Sequence, residues 1–225
     1  MLVVHRQMKV KMSASTNDFD VLLFKPKHNQ VSGLKALKHI PRYLFRLHAP
    51  DTAGRTTITD VTSPAWCNDQ SHRASDLFEL QQLEAASRLR EHFWWTPEHQ
   101  EHCNLMSWSS SLLFVLQHGF RRRGDSSKPT FADIHILVVD TSKFPRGTFA
   151  SELHLLSEFA PIDPSTKRSL RDLKNYRNSG KYFGEYITQG RLDITGRCSQ
   201  TSLEKLDDLG LKSLCPWLYD HVHPG

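Results

Sequence analysis

Cysteine is scarce in this chain of 225 residues: Cys67, Cys103, Cys198 and Cys215 stand far apart. No CxxC pair and no Cys/His zinc spacing joins them, which argues against zinc-finger and thioredoxin-type motifs. Scattered cysteines predict reduced thiols and a cytosolic or nuclear protein, with two disulfides as the alternative. Long apolar runs are missing. None reaches the roughly 18 residues of a membrane-spanning helix, so no membrane partner is expected. Met1-Leu2-Val3-Val4-His5-Arg6 is interrupted too soon to read as a signal peptide. The thirteen histidines show no ligand spacing. Glu98-His99-Gln100-Glu101-His102 lacks the HExxH order and reads as a surface helix start, so no metal is expected. Repeats and low-complexity linkers are also lacking. One domain is therefore expected over residues 41–225, with residues 1–40 as a basic arm packed on it.

What is present suits a soluble globule with a real core: 38% hydrophobic and 24% charged residues. The formal charge of +5 favours anionic ligands. Arg121-Arg122-Arg123 and the basic run over 161–181 raise nucleic-acid binding as a function class. No RNA or DNA motif accompanies them, so that class ranks last.

Apolar alternation and turn residues predict strands near 42–48, 104–109, 133–140, 183–188 and 191–198, and a further strand at Val21-Leu22-Leu23-Phe24. Helices are predicted over 76–93, with Asp76 and Glu79 as a capping box, and over 111–120, 151–159 and 202–209. Residues 49–66 read as turn and loop, and 161–181 as a polar stretch, helical in part. Strands and helices alternate without a regular βαβ rhythm, which predicts an α+β fold.

Three segments carry candidate chemistry. Tyr43-Leu44-Phe45-Arg46-Leu47-His48 puts Leu44, Arg46 and His48 on one strand face. Leu105-Met106-Ser107-Trp108-Ser109-Ser110 ends a strand in serines. Phe183-Gly184-Glu185-Tyr186-Ile187-Thr188-Gln189-Gly190 sets a carboxylate at the head of an apolar strand with aromatic neighbours. A charge in a strand interior is costly unless it is paired or used. An arginine, a serine pair and a glutamate in that order resemble the active site of the Arg–Ser–Glu class of ADP-ribosyltransferases, the cholera-toxin-like enzymes and their eukaryotic relatives. The chain also resembles an uncharacterised domain frequent in filamentous fungi, through Phe45-Arg46, Ser107 to Ser110, Asp140 to Thr148 and Gly184 to Tyr186.

The resemblance implies a split core of two small, mainly antiparallel sheets flanked by helices. It implies NAD as substrate and release of nicotinamide, with ADP-ribose passed to an unidentified protein acceptor. Arg46, Ser107 and Glu185 are then the catalytic residues. Arg46, His48, Ser107, Trp108 and Ser109 would hold NAD. Tyr176, Tyr182 and Phe183 would belong to the loop that meets the acceptor. The chemistry suits these residue types. A guanidinium grips phosphate oxygens in pairs, and a carboxylate stabilises an oxocarbenium-like ribose. One departure stands out. The arginine-modifying members have a second glutamate two residues before the catalytic one, where this chain has Phe183. An NAD glycohydrolase, or a degenerate protein-binding module on the same fold, are the competing classes.

Overall fold

Tyr43–His48 (β1) alternates in burial as it does in sequence: Leu44 and Arg46 are buried, while Phe45 and Leu47 pack on the other side. The computed structural model describes residues 21–68, 73–122 and 129–219. β1 is paired along its whole length with His135–Asp140 (β5), from Tyr43 opposite Asp140 to His48 opposite His135. β5 pairs in turn with Cys198–Ser202 (β9). On its other side β1 meets Leu105–Ser109 (β4) at one pair, Phe45 opposite Ser109. β4 is fully paired with Glu185–Gln189 (β7), and Ala150–Ser151 (β6) closes that edge. The six-stranded order β6-β7-β4-β1-β5-β9 is thus two three-stranded halves joined by one pair. Beyond that pair the ladder opens, leaving β4 backbone groups to find other partners.

Arg55–Thr56 (β2), Asp60–Thr62 (β3) and Arg191–Asp193 (β8) form a second, three-stranded antiparallel sheet. The architecture is α+β, with two small antiparallel sheets and flanking helices.

Three apolar clusters hold these layers. Val31–Ala36 (α1), Gln82–Phe93 (α3), Glu152–Phe159 (α5) and Leu170–Tyr176 (α6) pack with Leu105, Ala150 and Ile187. Leu44, Val61, Met106, Trp108, Leu137 and Leu192 fill the space between the sheets. Leu112–Arg122 (α4), Leu203–Asp208 (α7) and Leu211–Leu214 (α8) cover the outer face of β1 and β5. Full burial of each such side chain contributes about 1.5–3 kcal/mol.

Several elements differ from the sequence expectation. α3 starts at Gln82, not at Asp76. Asp76 instead accepts from Lys25 N, Phe78 N and Gln189 Nε2, so it ties three distant segments rather than capping a helix. The strand expected over 191–198 breaks in two. Gly196, at φ +68, turns the chain from β8 in the small sheet to β9 at the edge of the large one. The loop expected over 49–66 contains β2, β3 and Pro64–Cys67 (α2), elements too short to carry a readable period. Val21-Leu22-Leu23-Phe24 is not a strand; among the described residues its backbone bonds only through Phe24 N to Gly147 O, and Phe24 packs on Phe78. Residues 21–40 contribute Phe24 and Ala36 to the core. The rest of the expected basic arm lies outside the described residues.

Candidate functional site

A cleft of about 560 Å³ lies against the open seam of the large sheet, lined from β1, β4, α3, α4 and the start of β7. The register explains how Arg46 reaches it. Phe45 pairs with Ser109, so Arg46 belongs to the face of Met106 and Trp108, opposite the face of Ser109 and Glu185. Because the ladder opens there, the Ser107 carbonyl is not spent on β1. Arg46 Nη1 reaches into the seam and donates to that oxygen at 2.7 Å, while Nε donates to Thr56 Oγ1 at 3.2 Å. The guanidinium also lies over the Trp108 ring. Arg46 is 8% exposed, and among the described residues no carboxylate pairs with it. Burial lowers its pKa to about 10.

Glu185 opens β7 and is 3% exposed. It can stand there because Gly184 precedes it at φ +71, and a Cβ on Gly184 would collide with Ser110 Oγ. The carboxylate is hydrogen-bonded to Ser107 and accepts from Arg177 Nη2 at 3.3 Å. Burial first, then the neighbouring charge of Glu152, push its pKa up to about 8, against the pull of Ser107 and Arg177. Ser107 Oγ lies 2.9 Å from His92 Nε2, and His92 Nδ1 lies 3.1 Å from Cys103 Sγ. Burial, with Arg46 nearby, lowers the His92 pKa to about 3, so the imidazole is neutral. Burial also raises the Cys103 pKa to about 11, which keeps the thiol protonated.

The structure brings Arg46, Ser107, Trp108, Ser109, Phe183 and Glu185 to this one cleft. Their placements differ in kind. Trp108 is almost fully buried, packed edge-on against Phe149, with Nε1 donating to Thr188 Oγ1, so its ring is core beneath Arg46. Ser109 Oγ donates to Phe183 O at 2.7 Å and accepts from Ser111 N, so it braces the approach to Glu185. His48 does not line the cleft. It stacks on His135 at 5.2 Å, and its Nε2 is buried without a partner among the described residues. Tyr176 is half exposed and lies outside the cleft lining, as does Tyr182, whose hydroxyl donates to Glu185 O. Phe183 stacks on Phe114 at 3.9 Å, with the Arg177 guanidinium over its ring at 4.2 Å.

His92, Arg177 and Glu152 were not singled out by sequence reasoning. His92 sits in the last turn of α3, Arg177 inside a run of basic residues, and Glu152 at an ordinary helix start. The weak signal was Arg177 itself, a cation eight residues before a strand carboxylate in an aromatic setting. Among the described residues no group of three or more metal-ligating side chains is found, and no helix is long and apolar enough to cross a membrane.

These shifts predict the pH dependence of stability. Between about pH 4.5 and about 8 the folded state keeps a Glu185 proton that the unfolded chain releases, so stability falls as pH rises through that window. His92, at about 3 folded against 6.5 unfolded, and His48, at about 4, act in the opposite sense below pH 6.5. Thermal unfolding should therefore show maximal stability near pH 6.5 and a loss toward pH 8. Glu185→Gln should remove the alkaline loss. An unchanged alkaline loss in that variant would show that Glu185 does not carry the raised pKa.

No curated protein and no solved structure matches the chain significantly. A family profile does, over residues 39–194, a span that runs from before β1 to the end of β8 and includes Arg46, His92, Ser107, Glu152, Arg177 and Glu185. The chain belongs to the family described as a domain of unknown function, DUF7587.

Proposed function

We propose that this chain binds NAD in the cleft and cleaves the bond between nicotinamide and ribose, as an ADP-ribosyltransferase of the Arg–Ser–Glu type. The observation that carries the reading is Arg46: a buried guanidinium without a carboxylate partner among the described residues, on the same cleft as a buried carboxylate. A buried uncompensated cation is costly, and an anionic ligand offsets that cost. A pyrophosphate matches the guanidinium fork. Glu185 then faces the nicotinamide ribose. As the glycosidic C–N bond breaks, its electron pair leaves with neutral nicotinamide and C1′ gains positive charge. The carboxylate stabilises that charge, and Ser107 and Arg177 hold the carboxylate. A nucleophile then bonds to C1′ and loses its proton.

The nucleophile is an unidentified protein side chain or water. Phe183, between Phe114 and the Arg177 guanidinium, occupies the position of the glutamate that arginine-modifying enzymes use. The missing glutamate argues against arginine as acceptor and leaves another side chain or water, the second case being an NAD glycohydrolase. Incubation with millimolar NAD at pH 7 and pH 9 should release nicotinamide, measured by chromatography. If no nicotinamide appears and NAD leaves Tm unchanged, a protein-binding module on this fold becomes the better reading.

A further inference from the structure

Glu152, Arg177 and Glu185 come from three elements and meet in one buried place. Glu152 opens α5 and is fully buried. Its Oε1 accepts from Arg177 Nε at 2.9 Å, and its Oε2 has no partner among the described residues. Arg177 stands in the turn after α6, reaches both carboxylates and lies over Phe183. Neither Glu152 nor Arg177 lines the cleft. Nothing in the proposed NAD chemistry requires a second buried carboxylate, and a carboxylate oxygen buried without a partner is expensive.

We propose that Glu152 and Arg177 are positioning residues that act with Glu185 as one charge unit, in which two carboxylates share one guanidinium and so set how much negative charge Glu185 presents to the cleft. The proposal rests on the NAD-cleaving reading for its effect on rate, though not for its electrostatics. Two ionised carboxylates and one guanidinium leave a net negative charge in a dry setting. One proton shared by the two carboxylates removes it, and its titration belongs to the pair. Burial raises the pKa of both carboxylates, and for Glu185 the neighbouring charge of Glu152 adds to it. The other charged or titratable groups facing the pair act from outside it. His92 of α3 and Arg46 of β1 reach Glu185 through Ser107. Tyr182 lies beside both carboxylates and Tyr186 beside Tyr182, with burial raising the pKa of each phenol. His154 of α5 is held on Ser151, and its charged neighbours are Lys35 and His39 rather than the pair.

The test is the pH dependence of kcat for nicotinamide release, with KM followed in parallel. In the native protein kcat should rise with pH as the shared proton leaves, with a midpoint near 8. Glu152→Gln removes the second negative charge and should move that midpoint down by at least about one pH unit. Arg177→Gln leaves two carboxylates without their cation and should move it up by a similar amount, with about a tenfold or greater loss of kcat at pH 7 and KM changed less than about threefold. The double variant should return toward the native midpoint, a rescue that lost packing would not give. Should Arg177→Gln fail to fold, Glu152→Gln alone decides. The same midpoint in the native protein and Glu152→Gln overturns the proposal. The carboxylate carbon resonance that disappears in Glu185→Gln gives a readout without NAD. It should titrate near pH 8 in the native protein and at least about one unit lower in Glu152→Gln. That result stands even if no nicotinamide is ever released, so failure of the charge unit and failure of the NAD reading are separable.

Discussion

Glu185→Gln should lower kcat for nicotinamide release by on the order of a hundredfold or more, with KM for NAD changed little. The substitution keeps the size and hydrogen-bonding reach of the side chain and removes its charge. Arg177 Nη2 can still donate to an amide oxygen, and Ser107 remains in reach. The lost charge matters most when C1′ is most positive, which is the transition state rather than the bound complex. Misfolding would not explain the loss, because replacing a buried carboxylate by a neutral isostere relieves a desolvation cost. The variant should melt no lower than the native protein at pH 8. The assay belongs at pH 9, where native Glu185 is ionised, with saturating NAD. Equal rates for the two proteins would remove Glu185 from the chemistry, and the site assignment with it.

The sequence carried the strand that presents Arg46, because alternation is visible over six residues, and the strands of Ser107 and Glu185 because each is a short apolar run bounded by serine or glycine turn residues. It could not carry the seam. Whether β1 and β4 pair along their length or at one position depends on neighbours more than 60 residues away in sequence, not on a local period. That seam is why Arg46 reaches the Ser107 carbonyl from the opposite face of the sheet. Glu152 and Arg177 were hidden for a related reason. Each looks like a surface charge in its own segment, and they become a buried pair when α5, α6 and β7 pack together. His48 shows the limit of arguing from a shared face. It alternates with Arg46 as expected, yet lies two residues along the strand, where β1 is covered by His135 and not by the cleft. Asp76 shows the limit of a capping signature: a carboxylate three residues before a glutamate fits a helix start, but its oxygens were taken by Lys25, Phe78 and Gln189.

Arg46→Ala should abolish the stabilisation of the protein by NAD while leaving the unliganded fold intact. A ligand that binds only the folded state at a hundred times its Kd adds about 2.7 kcal/mol, roughly 5–10 °C in Tm for a domain of this size. The native protein should show that shift, and ADP-ribose, which keeps the pyrophosphate and lacks nicotinamide, should give most of it. In the unliganded state Arg46 donates to Ser107 O and Thr56 Oγ1, and those bonds are lost in the variant. Each contributes about 0.5–1.5 kcal/mol net, less the cost of keeping a cation buried without a carboxylate partner. The two effects oppose each other, so the unliganded Tm should change by only a few degrees. Arg46→Lys separates charge from geometry. An ammonium supplies the positive charge but not the planar fork, so the variant should recover part of the NAD shift. Differential scanning fluorimetry with and without NAD reads all three proteins. If Arg46→Ala keeps the full NAD-dependent shift, the pyrophosphate is not held by Arg46, and a guanidinium without a carboxylate partner among the described residues no longer marks the ligand site.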